Sequence, residues 1–403
     1  MSERKTPYRV LVVIGGTLMM FAMGIFYAWS RYRMILHPLF PDWTYSNMSL
    51  NFSLFICMMC IGGMLGSILI AKFGYCRIMR TGAFLALIGL ILFSFIGHLS
   101  SKAALLMMYF SYGILSPIGC GFVYNGVISG TARHFPEKSG AVTGLLLTGY
   151  GLSSMTVGSL VASLAETIGI FAAFRIVAVV LFAIIFTLTG LYKKAPEQSG
   201  GESAETSEND GFTGRETIRT PAFWLLVVWM IITSCQGLMV INSAAEIAQG
   251  FGVAASLGLI VSLFNGVSRV GAGALLDRTD LAPLIDTLIA MGGAVSLLFA
   301  SKTESVVLMF AGLILTGIAY GGSISLNAGV TKSVFGARHY SQNFALANLS
   351  GPPAAFLGPV IAGALQDRAG GGYETTYIAM VFFGIVSIVI CVVMTIMMRK
   401  LKK

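Results

Sequence analysis

Arg269 is the residue in this chain best placed to do chemistry. It lies in the apolar stretch Phe264-Asn-Gly-Val-Ser-Arg-Val-Gly-Ala-Gly-Ala-Leu-Leu-Asp-Arg278. A cation inside a segment long enough to span a membrane is costly unless it has a partner or a task. Counted from the start of its segment near residue 254, Arg269 is about 22 Å from one end and about 12 Å from the Asp277 turn, at 1.5 Å per residue. That depth is too great for easy snorkelling. A guanidinium grips a carboxylate through two parallel hydrogen bonds, so the chemistry expected is anion binding. The alternative is a structural arginine bonded to backbone carbonyls of a neighbouring helix.

Other polar and aromatic residues are candidates to complete such a site. Tyr27, Tyr124, Tyr150 and Tyr320 can each donate a hydroxyl to an anion or simply pack. Asn265 stands four residues before Arg269, on the same helical face. Arg31 stands four residues after Tyr27, so the same rule would direct it to the mouth of a cavity that Tyr27 lines; lipid phosphate or interfacial water is its alternative partner. Asn125, Gln236, Asn242 and Asn348 are weaker polar candidates, because amides within a membrane often bridge helices. Glu246, Asp286 and the four histidines read as lying near helix ends, so no mid-membrane acid is evident.

These residues need a scaffold, and composition names its class. Apolar residues make up 56% of the 403 and charged residues 11%, with a mean hydropathy of +0.82. Soluble domains carry roughly 25% charged residues. The chain therefore reads as an all-α integral membrane protein, with room for about twelve helices of about 20 residues. The segments fall near 10–36, 47–70, 79–97, 103–132, 140–164, 171–192, 221–247, 254–276, 282–300, 304–330, 340–365 and 373–398. Residues 193–219 are the one marked change in composition. They form a polar linker between a six-helix bundle at 1–192 and another at 220–403. The first segment lacks a convincing cleavage site and reads as a retained helix.

Charge sets the expected orientation. With the N-terminus in the cytoplasm, nineteen of the 26 Lys and Arg residues fall on the inside, six fall outside, and Arg269 lies between. Both termini are thus expected inside a plasma or inner membrane. The same distribution argues against nucleic acid as the reason for the net charge of +9. Cys57-Met-Met-Cys60 has redox or metal spacing but no second Cys/His cluster, and buried cysteines act as small apolar side chains. No phosphate loop and no nucleophile–base set is present, so neither an enzyme nor a cofactor is expected.

Motifs then narrow the class. The end of the eighth segment reads Gly273-Ala-Leu-Leu-Asp277-Arg278. The second segment has Gly66-Ser-Ile-Leu-Ile-Ala71-Lys72 at the matching place of the first half. The chain resembles the major facilitator superfamily, whose Gly-x-x-x-Asp-Arg signature the later copy matches; Ala71 replaces the Asp in the earlier one. Tyr27-Ala-Trp29-Ser30, Gly121-Phe-Val-Tyr124-Asn125-Gly126, Arg133-His-Phe-Pro136-Glu-Lys138, Gly149-Tyr150-Gly151 and Asn265-Gly-Val-Ser-Arg269 resemble the oxalate:formate antiporter branch, close to the monocarboxylate transporters.

The resemblance implies two six-helix bundles related by a pseudo-two-fold axis and rocking about a central site. It implies a secondary or facilitative transporter of small carboxylates, working as a monomer, with Lys72, Gly273, Asp277 and Arg278 in gating. Two departures carry information. Oxalate exchangers are expected to hold a Lys in the eleventh helix, where this chain has Ser350 or a near neighbour. Monocarboxylate relatives carry an Asp where this chain has Asn265. A monoanion clamped by one arginine, moved by exchange, is the reading these departures favour. An exporter of drug-like or other organic compounds is the alternative, but that would call for an intramembrane acid.

Overall fold

The computed structural model describes residues 5–135, 139–193, 211–336 and 338–401. The linker at 194–210, the Pro136-Glu-Lys138 part of one motif and the tail Lys402-Lys403 lie outside them.

Among the described residues, twelve helices are long and apolar enough to cross a membrane. They are α1 (Tyr8–Leu39), α2 (Tyr45–Phe73), α3 (Tyr75–His98), α4 (Ser101–Ala132), α5 (Val142–Ile168), α6 (Ile170–Tyr192), α7 (Pro221–Ile241), α8 (Ala255–Arg278), α9 (Ala282–Thr303), α10 (Val306–Phe335), α11 (Gln342–Arg368) and α12 (Glu374–Leu401). The helix is the natural solution here because it satisfies every backbone group internally. Their ends carry local stop and start signals. Thr44 caps α2 by accepting from the Asn47 amide at 3.1 Å, while Asn47 Oδ1 accepts from the Thr44 amide at 3.0 Å. Gly74, at φ 81°, ends α2 and turns the chain into α3. Thr220 and Pro221 start α7.

Six helices form each half, and the halves repeat one packing device. In the first, Gly121 of α4 meets the α2 backbone: a Cβ there would lie 2.4 Å from the Met59 carbonyl. In the second, Gly317 and Gly321 of α10 meet α8, where a Cβ would lie 2.4 Å from the Val261 carbonyl and 2.0 Å from that of Asn265. The α2–α4 pair thus corresponds to the α8–α10 pair, which is the pseudo-two-fold relation expressed in contacts. Gly62, Gly66, Gly358 and Gly363 also allow close approach. Gly271, Gly273 and Gly351 do not: a Cβ on each would meet nothing within 4 Å.

Several helices are interrupted. Pro117 cannot donate to the Gly113 carbonyl, and α4 has a π-helical turn over Tyr109–Leu115. Pro352 and Pro353 cannot donate to Asn348 and Leu349, and α11 tightens to a 3-10 turn over Asn348–Ser350. The break in α1 involves no proline. It is a 3-10 turn over Gly24–Ala28, where α1 and α5 nearly touch: a Cβ on Gly24 would lie 2.1 Å from the Tyr150 carbonyl. The seventh helix ends at Ile241 instead of running on to 247; after Asn242 and Ser243 a separate short helix covers Ala244–Gly250.

Between the halves, α5 packs on α8 and α2 on α11. Gly151 meets the Ser262 carbonyl and Gly266 that of Leu147. Ser53 Oγ donates to the Phe356 carbonyl at 3.1 Å. The outer surface presents Leu11, Ile68, Leu106, Val179, Phe299, Val307 and other exposed apolar side chains, the composition of a lipid-facing shell.

Candidate functional site

The pocket at the centre of the halves begins with the two interrupted or closely packed helices of the first half. The 3-10 turn of α1 carries Tyr27, and α5 carries Tyr150 where it meets α1. Their rings stack edge to face, 5.1 Å apart at 77°. Tyr124 of α4 lies 5.3 Å beyond, again edge-on at 78°. Gly24 in α1 and Gly149 in α5 leave room for those two helices to approach, and the three tyrosines share one wall.

The second half supplies the opposite wall from α8. Ser262, Asn265, Gly266 and Arg269 occur at three- and four-residue spacing and face the tyrosines. Together with Met59, Leu147 and Gly151 they line a narrow cavity of about 20 Å3. That is room for about one water molecule, well below the range of about 300–1,000 Å3 for ligand sites, so the lining side chains must part to admit a carboxylate.

Arg269 is half-buried in this pocket. Its Nη1 donates to the Tyr124 hydroxyl at 3.5 Å, a weak bond by length. Its Nε has no partner, and neither has Asn265 Oδ1 beside it. Tyr27 lines the same pocket as Tyr124 and the guanidinium. No carboxylate is paired with it among the described residues. The arrangement offers an anion a cationic fork, phenolic donors and apolar walls. Among the described residues Arg269 donates to no backbone carbonyl, whereas a purely structural arginine would be expected to do so.

Other expected residues lie elsewhere. Arg31 does not line the pocket; it is 4.0 Å from Glu166 at the end of α5. The i, i+4 rule fails because the 3-10 turn at Gly24–Ala28 resets the phase of α1. Asn125 bridges α4 to α2, donating to the Gly63 carbonyl and Ser67 Oγ, both at 2.6 Å. Gln236 ties α7 to α12 through the Met380 carbonyl at 2.7 Å. Ser350 donates to the Ala347 carbonyl of its own helix. Tyr320 is buried against Gly237 and does not line the pocket. Lys72, Asp277 and Arg278 are exposed on the face that carries the chain termini, and Gly273 looks into open space there. Asp286 is not at an exposed helix end: it is 3% exposed, Oδ2 has no partner, and the carboxylate fits into the space that Gly322 leaves in α10.

Sequence reasoning missed the opposite, distal face. Arg33 is fully buried there. Its guanidinium pairs bidentately with Glu246, Nε to Oε1 at 2.6 Å and Nη2 to Oε2. Asp367 of α11 accepts from the Tyr45 and Ser46 amides at 2.8 and 3.0 Å, capping the first turn of α2 from the other half. A sequence signal existed in part: Arg33 and Glu246 are opposite charges at matching ends of the first helix in each half. Among the described residues, no group of three or more His, Cys, Asp or Glu side chains could hold a metal ion.

Comparison with known proteins agrees with this architecture. The family model described as Major Facilitator Superfamily matches residues 10–352. The MFS-type transporter YhjX of Escherichia coli is 29% identical over 83% of this chain and 83% of its own. The oxalate:formate antiporter of Oxalobacter formigenes is 25% identical over 90% of this chain and 85% of its own. Monocarboxylate transporter 10 of Danio rerio is 25% identical over 75% and 61%. Among solved structures, a bacterial homolog of the human lysosomal transporter Spinster, inward-facing and unoccupied, superposes with a TM-score of 0.75 at 15% identity, covering 98% of this chain and 99% of that one. With its twelve spans, its repeated halves and this match over most of its length, the chain belongs to the Major Facilitator Superfamily.

Proposed function

We propose that this transporter moves small carboxylate anions across the bilayer by alternating access, and that it does so by exchange. Arg269 carries the proposal: a guanidinium between the two halves, with no carboxylate partner and an unpartnered Nε, in an aromatic pocket. A site with one cation suits a monocarboxylate such as formate, lactate or pyruvate better than a dianion held at both ends, as in oxalate. The name of the oxalate:formate antiporter, and that of the monocarboxylate transporter, support the substrate class. Asn265 cannot titrate beside Arg269, which supports exchange over proton symport at this site. The halves are taken to be 1–192 and 220–403, with the linker and both termini in the cytoplasm, on the strength of the charge asymmetry.

In proteoliposomes, Arg269→Gln abolishes uptake of labelled carboxylate while the protein remains folded. Full uptake by that variant defeats the proposal. Preloading vesicles with the substrate anion speeds uptake more than an imposed pH gradient does. Buried Asp286 favours a second reading, proton-linked transport. It predicts the reverse order of the two stimulations, with the pH response lost in Asp286→Asn.

A further inference from the structure

Arg33 sits in a cluster with more hydrogen-bonding capacity than an ion pair needs. Besides the two bonds to Glu246, its Nη1 donates to Ser49 Oγ at 3.2 Å and its Nη2 to Ser243 Oγ at 3.0 Å. Gln366 Oε1 and the Tyr373 hydroxyl are each 3.4 Å from Nη2, and the Tyr45 ring lies 5.6 Å from the guanidinium carbon. Tyr373 donates its hydroxyl to Glu246 Oε2. Gln366 Nε2, itself buried, has no partner. The carboxylate therefore rests on a guanidinium fork and a phenol, with a spare amide donor in the cluster. Burial, followed by the charge of Glu246, pushes the Tyr373 phenol well above its ordinary range, so it stays a donor at neutral pH.

The two partners are held differently. The cation is fixed: Arg33 is in the last turns of α1 and is completely buried among groups from α2, α11 and the segment before α12. The acid is not part of a spanning helix. Glu246 lies on the seven-residue helix Ala244–Gly250, between the break at Asn242–Ser243 and Gly252 at φ 72°. Its side chain is 14% exposed, against 0% for Arg33. The anion is thus the half of the pair that can leave and be replaced.

We propose that the Arg33 cluster is a second carboxylate-binding site, filled in this conformation by the Glu246 side chain standing in for a free carboxylate. As the distal face opens, Glu246 withdraws with its short helix, and a small carboxylate takes its place on Arg33. The inference rests on the reading that the cargo is a small carboxylate, and it gives that cargo a station on the distal side of Arg269.

The test uses the full-length protein in detergent, with sodium formate and acetate as probes and sodium chloride and sulfate at matched ionic strength as controls. The Arg269→Gln background silences the central pocket. In that background Glu246→Ala vacates the carboxylate position, and formate or acetate raises the melting midpoint saturably by about 2 °C or more. Arg269→Gln alone shows no such rise, because Glu246 still fills the site. Adding Arg33→Gln to the double variant removes the rise. A folded double variant that is flat with carboxylate, or that responds equally to chloride, overturns the proposal and leaves the cluster a structural lock. If the alanine variant does not fold, Glu246→Gln with Arg269 intact provides the test: the carboxylate concentration needed for half-saturation falls about three-fold or more, and an unchanged value overturns the proposal. Undiminished binding to Arg269→Gln alone would instead count against the central pocket as the carboxylate site.

Discussion

Gly321→Ala tests how the fold holds Arg269. Gly321 is where α10 meets α8, and a Cβ there would lie 2.0 Å from the Asn265 carbonyl and 2.2 Å from Ser268 Oγ. Ordinary contact begins at 3.4 Å, so the α8 backbone must retreat by about 1.4 Å or α10 must shift by the same amount. The atoms displaced belong to the residues four and one before Arg269, so the guanidinium moves with them. Overpacking of this kind costs about 1–3 kcal/mol. If the substrate-bound state bears all of that strain, affinity falls about 5- to 150-fold, at about 1.4 kcal/mol per decade. If the unbound state bears it equally, melting temperature falls and affinity does not. The assay is carboxylate-dependent counterflow in proteoliposomes alongside a thermal melt. Gly271→Ala in α8 is the control, because its methyl group meets nothing within 4 Å. A Gly321→Ala protein that melts and transports like the wild type would refute the claim that this contact positions the site.

Three further outcomes follow from individual contacts. Arg269→Lys keeps the charge but loses the planar fork, so carboxylate affinity falls about ten-fold or more in a binding titration. Asn125→Leu removes two hydrogen bonds between α4 and α2 but touches no pocket atom; it lowers the melting midpoint by the equivalent of about 1–3 kcal/mol and leaves the affinity within about two-fold. Tyr373→Phe deletes the phenol that donates to Glu246, weakening the distal closure by about 1.5–3 kcal/mol. It increases labelling, by a membrane-impermeant thiol reagent, of a cysteine placed at Ser53 in a cysteine-free background; unchanged labelling would mean that the contact does not hold that face shut.

The twelve helices were legible because lipid imposes a single rule on every span. Long apolar runs and alternating basic ends follow directly from it. Arg269 was legible for the same reason, since a cation at that depth has no bland place to go. The tyrosines of α1, α4 and α5 were readable as candidates, but their convergence depends on glycine contacts whose partners are distant in sequence, such as Gly24 with Tyr150. Arg31 was misplaced because an α-helical phase was carried through a turn that is not α-helical, and no proline marks that break. Arg33 was missed because its partner lies 213 residues away on a short helix outside the spans. Asp286 was read as an end residue from its place in sequence, yet α10 covers it, and Gly322 is what makes the room. Local pattern thus reported depth well and azimuth poorly, and the binding geometry depends on azimuth.

The most direct measurement is a calorimetric titration of small monocarboxylates, formate and lactate first, into the purified wild-type protein and the Arg269→Gln variant. One-to-one binding by the wild type, reduced at least about 100-fold in the variant as a charge-assisted bidentate contact requires, is the predicted result. Equal binding by both proteins would contradict the account.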